Sequence, residues 1–220
     1  MIYLNLIIVF ILGTIIGSFL NVLVLRYNTG FSFITGRSRC FTCSKYLNWY
    51  ELIPLFSFLM IGGKCLGCKS KVSYQYPIVE GITGVVFVGV FWIFSLSPLL
   101  PIYLIISSLL IAMAVYDYLH KIIPDGMVYS FIFLSFVAML ITHPLASLFS
   151  IPLSFDLLAG PILFSFFAIL WLVSGGKWMG FGDAKLALGV GFLLGFTGGV
   201  YAIMLAFYIG AVFSLSLIHI

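Results

Sequence analysis

Apolar residues run along this chain in about seven long stretches, separated by short connectors and by one extended polar insertion. Each stretch approaches the ~20 residues that carry a helix across a ~30 Å hydrocarbon layer. They fall at 2–25, 77–96, 100–118, 126–142, 153–173, 184–196 and 198–217. Ten-residue segments of alternating polarity are absent, so the strands of a membrane barrel are not expected. Helices satisfy their own backbone groups in lipid, and the pattern predicts an all-α polytopic membrane protein of about seven transmembrane helices. The first stretch is too long, and too weakly basic at its start, for a cleaved signal peptide; it is expected to be retained as a span.

Composition narrows the class further. The chain is 63% hydrophobic and 7% charged, against roughly 25% charged in an ordinary soluble domain. That excludes a soluble globule, a disordered chain and a disulfide-rich secreted scaffold, and it leaves the lipid bilayer, not nucleic acid, as the obligatory surroundings. The net charge of +4 is read as topology, because basic residues are retained in short loops on the cytoplasmic side. Arg26, Arg37, Arg39, Lys45, Lys64, Lys69 and Lys71 all lie in the insertion at 26–76, which is therefore expected to be cytoplasmic. Alternation of the later spans then brings Lys121, Lys177 and Lys185 to the same side. The expected division is a first transmembrane helix at 1–25, a loop domain at 26–76 and a membrane domain at 77–220.

Only six acidic residues are present, and a carboxylate at a membrane must be solvated, paired or neutralised. Asp117 closes the third stretch, and Asp183 follows Gly180-Phe181-Gly182 at the start of the sixth. Two crossings separate them, so alternation returns both to the cytoplasmic edge. Two carboxylates within a few Å share a proton and titrate as a coupled pair. One member then activates water, while the protonated member binds a carbonyl and protonates the leaving amine. Plainer readings stand beside this one: Asp183 and Asp125 as helix N-caps, Asp117 paired with Lys121 one turn on, and Asp156 as an acid near the start of its own helix at the outer face. Glu51 and Glu80 are read either as polar contributors or as loop anchors. His120 lies close enough to Asp117 to tune it, whereas His143 and His219 carry no signal.

The insertion holds all four cysteines. Cys40-x-x-Cys43 and Cys65-x-x-Cys68 are separated by 21 residues, the spacing of a tetrahedral zinc site with four cysteine ligands. A reducing compartment disfavours disulfides, and a small loop with little core gains much of its folding free energy from a structural metal. Four thiolates leave no open coordination position, so the expected zinc is structural.

These motifs, taken in order, resemble the type IV prepilin peptidases, bacterial inner-membrane enzymes of the GxGD aspartyl protease class. The resemblance rests on Gly17-Ser18-Phe19-Leu20-Asn21-Val22, the two cysteine knuckles, and Trp49-Tyr50-Glu51-Leu52-Ile53-Pro54 between them. It continues through Gly63-Lys64-Cys65, Tyr76-Pro77-Ile78-Val79-Glu80, Asp117 with Ile123-Pro124-Asp125, and Gly180-Phe181-Gly182-Asp183-Ala184-Lys185-Leu186. It implies an enzyme that removes the basic leader of prepilins and pseudopilins after a Gly at the cytoplasmic membrane face, with Asp117 and Asp183 as the catalytic pair. It also implies methylation of the new N-terminal amine with S-adenosylmethionine, an activity associated with the cysteine-bearing loop. Relative to the family, Phe41 stands where Pro is common, and a final helix with its Pro-Phe-Gly-Pro-like segment is expected beyond the 220 residues. A proton-coupled transporter is the alternative from another class, but it would place an acid near the bilayer midplane. A zinc-bearing membrane scaffold would need the cysteines and not the acids.

Overall fold

The computed structural model describes residues 2–142 and 151–218, with side chains described over 3–142 and 156–212. His143, His219 and most of the outer connector expected at 143–152 lie outside the described residues. The elements are α1 (Ile2–Arg26), a 3-10 turn (Trp49–Leu52), α2 (Phe56–Met60), α3 (Gln75–Phe94), α4 (Leu100–His120), α5 (Asp125–Thr142), α6 (Ile151–Ser174) and α7 (Phe181–Ile218). All but the turn and α2 are long and apolar enough to cross a membrane. Among the described residues there are no strands, only two isolated antiparallel bridges in the loop. The chain divides into two compact units, Met1–His120 and Lys121–Ile220.

In the first unit α1 packs on α3, and α4 packs on both. Hydrophobicity cannot choose the packed face of α1, because lipid tails are as apolar as leucine. Small residues choose it by letting backbones approach. A Cβ on Gly17 would come within 2.8 Å of Glu80 Cα, and one on Gly13 within 2.8 Å of Gly84 Cα. The same face carries Asn21, fully buried, whose Nδ2 donates to the carbonyls of Gly17 and Tyr76, each at 3.3 Å. Tyr3, Ile7, Ile11 and Ile15 occupy the opposite, exposed stripe at helical spacing. Tyr27 meets Tyr116 edge to face at 5.6 Å, fixing the end of α1 against α4.

In the second unit α7 holds two crossings, which reconciles six long helices with seven expected spans. A straight helix of 38 residues would be about 57 Å long, nearly twice the ~30 Å hydrocarbon thickness. The break is at Gly195, with φ 69° and ψ −176°. A Cβ on Gly199 would lie 3.6 Å from Gly191 Cα, whereas eight residues of continuous helix rise about 12 Å. The chain therefore folds back, one residue before the end expected for the sixth span. Both arms pack on α6: a Cβ on Gly191 would meet Gly160 Cα at 2.5 Å, and Phe207 stacks on Phe167. Asp156 secures the reversal, its Oδ1 accepting the Phe196 N–H at 3.3 Å. This corrects the reading of Asp156 as an acid serving its own helix: it satisfies an orphan donor where the second arm of α7 begins.

Gly195→Ala should test that corner. Its φ is costly for any residue with a Cβ, and that Cβ would lie 2.5 Å from Asp156 Oδ1. A loss of about 1–3 kcal/mol is expected, seen as a lower thermal unfolding midpoint in detergent. An unchanged midpoint would mean that the corner bears no strain.

Candidate active site and metal centre

In the second unit, α7 begins at Phe181, so Gly180 occupies the N-cap position and Asp183 sits in the first turn, exposed. Asp183 is therefore not the cap of its helix. Its carboxylate gains from the helix dipole instead, and a Cβ on Gly180 would lie 3.9 Å from Asp183 Oδ2. Gly182 is matched to close packing: a Cβ there would meet the Ile123 side chain at 3.2 Å. Phe181, between the two glycines, is held by Trp171 and Phe164 of α6, at 5.1 and 6.0 Å between ring centroids.

Lys185, two residues past Asp183, donates to Asp125 Oδ1 at 2.6 Å. Its ammonium also lies 5.2 Å from the Tyr129 ring centre and 5.5 Å from that of Phe181. Asp125 is the first residue of α5, and the first-turn N–H groups of Met127 and Val128 are directed at the Pro124 carbonyl. The cap reading of Asp125 is thus replaced by an ion pair that fastens the start of α7 to the start of α5. Sixty residues separate its partners, and no local pattern announces it.

In the first unit, Asp117 is exposed in the last turns of α4. The preceding residue, Tyr116, is buried and anchors that end of the helix. His120, read as a group that could tune Asp117, has its ring against Tyr116 at 4.4 Å.

The four cysteines converge. Cys40 Sγ lies 3.8 Å from Cys68 Sγ, and Cys43 Sγ lies 3.9 Å from Cys65 Sγ. All four sulfurs are within 4.8 Å of one another, as a group that could hold a metal ion. A zinc tetrahedron with Zn–S of about 2.3 Å has edges of about 3.8 Å, so the donor set fits. None of the four is in a disulfide.

The two knuckles are copies of one turn. Cys40 N–H donates to Lys45 O and Ser44 N–H to Cys40 O; Cys65 N–H donates to Ser70 O and Lys69 N–H to Cys65 O. Ser44 and Lys69 take the same positive φ, 57° and 59°. Amide donors favour the thiolate, the ligand form. Those of Cys43 and Thr42, with the Ser70 hydroxyl, hold the Cys40 thiol down to about 6 from 9.0, and the Ser70 hydroxyl lowers Cys68 as well; Cys43, despite the Lys45 amide, is pushed up to about 11 by desolvation and by the neighbouring sulfurs of Cys68, Cys40 and Cys65.

Two buried acids brace the loop. Glu51 accepts the Asn48 N–H at 2.8 Å and pairs with Lys45 at 3.3 Å, tying the first knuckle to the 3-10 turn. Glu80, on α3, accepts the Leu55 N–H at 2.8 Å. Of the two readings of these acids, loop anchoring is the one their contacts support. Glu80 and its partner are 25 residues apart, again beyond any local signal.

Two family models match the chain in succession. The bacterial peptidase A24 N-terminal domain matches residues 11–94, and the type IV leader peptidase family matches residues 104–215. A prepilin leader peptidase/N-methyltransferase of Bacillus subtilis is 34% identical over 206 residues, covering 94% of this chain and 80% of the relative. A protein of the same name from Pseudomonas aeruginosa is 28% identical over 239 residues, covering 96% and 80%. Another from Myxococcus xanthus is 40% identical over 122 residues, covering 54% of this chain and about a third, 35%, of the relative. No solved structure matches. With half the chain under one family model, and most of its length aligned to a relative, this multi-pass membrane protein belongs to the type IV leader peptidase family.

Proposed function

We infer that this chain is a prepilin leader peptidase that also N-methylates the new N-terminus, working in the bacterial inner membrane. The observation that carries the reading is the alignment with the Bacillus subtilis prepilin leader peptidase/N-methyltransferase, which covers 94% of this chain and 80% of that protein. The substrates are prepilins and pseudopilins. A basic leader stays in the cytoplasm and an apolar helix enters lipid, so the bond between them lies at the membrane edge. The loop at 26–76, with seven of the ten basic residues, favours the cytoplasmic side for the site.

Asp117 and Asp183 are the proposed catalytic pair. The ionised carboxylate takes a proton from the attacking water, and the protonated one hydrogen-bonds the scissile carbonyl and then protonates the leaving amine. Gly180, beside the Asp183 carboxylate, leaves room there for an extended peptide segment. A peptide bond inside a helix is hidden, so the substrate unwinds locally before attack.

Cys40, Cys43, Cys65 and Cys68 are the proposed ligands of a structural zinc ion, which folds the loop. S-adenosylmethionine is the proposed methyl donor.

The test is mass spectrometry of a precursor before and after exposure to the purified chain in lipid vesicles. Loss of the leader mass without added S-adenosylmethionine, followed by gain of one methyl group when it is supplied, is the expected result. An intact precursor after incubation with folded protein would overturn the assignment.

A further inference from the structure

The loop at 26–76 is not uniformly polar. Residues 52–63, between Glu51 and Lys64, carry no charged side chain and contain Leu52, Ile53, Pro54, Leu55, Phe56, Phe58, Leu59, Met60 and Ile61. An apolar run this short cannot span a bilayer, and roughly 10–14 residues is the length of an interfacial or buried segment. It is not a buried one: Leu59 is 77% exposed, Met60 70% and Phe56 55%, and Trp49 just before the run is 77% exposed.

Its position is fixed by α3. Leu55 has φ 59°, and its N–H is held by the carboxylate of Glu80, a residue only 6% exposed. The Leu55 side chain also lies 3.9 Å from where a Cβ on Gly81 would be. Glu80 is five residues inside α3, which begins at Gln75, about 7.5 Å along the axis. The apolar face of an interfacial helix lies ~5–10 Å into the headgroup and acyl boundary. Held beside the first turns of an apolar span, the segment is placed to sit at that boundary.

We propose that residues 52–63 form an interfacial segment seated in the loop-side leaflet of the bilayer, pinned at Leu55 by Glu80. The occupant of the exposed apolar face is phospholipid. Lys64 and Lys71, both exposed just beyond the run, are placed to meet anionic headgroups. Trp49 supplies the amphipathic ring favoured at a membrane interface. The consequence is that the cysteine knuckles, at 40–43 and 65–68 on either side of the segment, are held against the membrane surface instead of ranging through solvent.

Photo-crosslinking tests this in the full chain. A benzophenone amino acid is placed at Leu59, at Met60 or, as a reference, at Lys69, and each protein is irradiated in vesicles containing anionic phospholipid. Phospholipid adducts at 59 and 60 should exceed those at 69 by about tenfold. Crosslinks to other parts of the chain, or equal lipid yields at all three positions, would overturn the proposal. With the probe at 59, Glu80→Ala should lower the lipid adduct about threefold, whereas Glu80→Gln, whose amide oxygen still accepts the Leu55 N–H, should leave it unchanged. An undiminished yield in the Ala variant would remove Glu80 as the anchor.

Discussion

Asp183→Asn should lower leader removal by about a thousandfold or more, and Asp117→Asn should do the same. An amide neither takes a proton from water nor gives one to a leaving amine, and loss of a general acid or base costs roughly 10²–10⁴ in rate. On the proposed mechanism the two groups share one proton, so the double variant should be hardly slower than either single one. Asp183 is exposed in the first turn of α7 and Asp117 is exposed near the end of α4, so neither substitution opens a cavity. The metal content should therefore match the parent, and methylation of a peptide supplied with its leader already removed should persist. Those two controls separate chemistry from misfolding. A variant that cleaves at more than about a tenth of the parental rate, against the loss set by acid–base catalysis, would remove that residue from the pair.

The crossings were legible because lipid imposes one rule on every span, a run of apolar residues long enough to cover the hydrocarbon core. That rule is silent about faces and corners. On α1 the exposed Ile7 and Ile11 are as apolar as the buried Leu20 and Val24, so the packed side is set by Gly13, Gly17 and Asn21. The corner at Gly195 was legible only as a gap between two stretches. Nothing near it in sequence indicates that a carboxylate 39 positions earlier, Asp156, satisfies the donor freed by the turn.

The chemistry divides in the same way. The cysteine knuckles are local, four residues each, and their spacing alone implied a convergence like the one seen. Asp183 was marked by its glycines. Lys185 and Asp125 were visible only as one charge in a motif and one apparent cap, because an ion pair between two helix starts leaves no periodic trace. Glu80 was harder still. A lone acid inside an apolar stretch signals that it has a partner, and here the partner is the backbone of Leu55, which no side-chain pattern can reveal.

Cys65→Ser should release the metal and unfold the loop. Cys65 is the most enclosed of the four cysteines, 4% exposed, and its backbone closes the second knuckle through Ser70 and Lys69. A hydroxyl is a far poorer zinc ligand than a thiolate, and the affinity of a structural zinc site is itself folding free energy, about 10–16 kcal/mol in small zinc domains. Loss of a ligand therefore removes more than a small loop can supply from its own core. Zinc measured by mass spectrometry should fall from about one ion per chain to a small fraction of that. Residues 31–75 should become open to limited proteolysis, and a chelator should produce the same cleavage pattern in the parent protein. Methylation should fall by about tenfold or more, the scale seen when metal sites are disturbed. Leader removal should fall much less, since the proposed catalytic pair, Asp117 and Asp183, lies outside the loop. A Cys65→Ser protein that stays protease-resistant and keeps its methylating activity would show that the four sulfurs hold the loop without a metal.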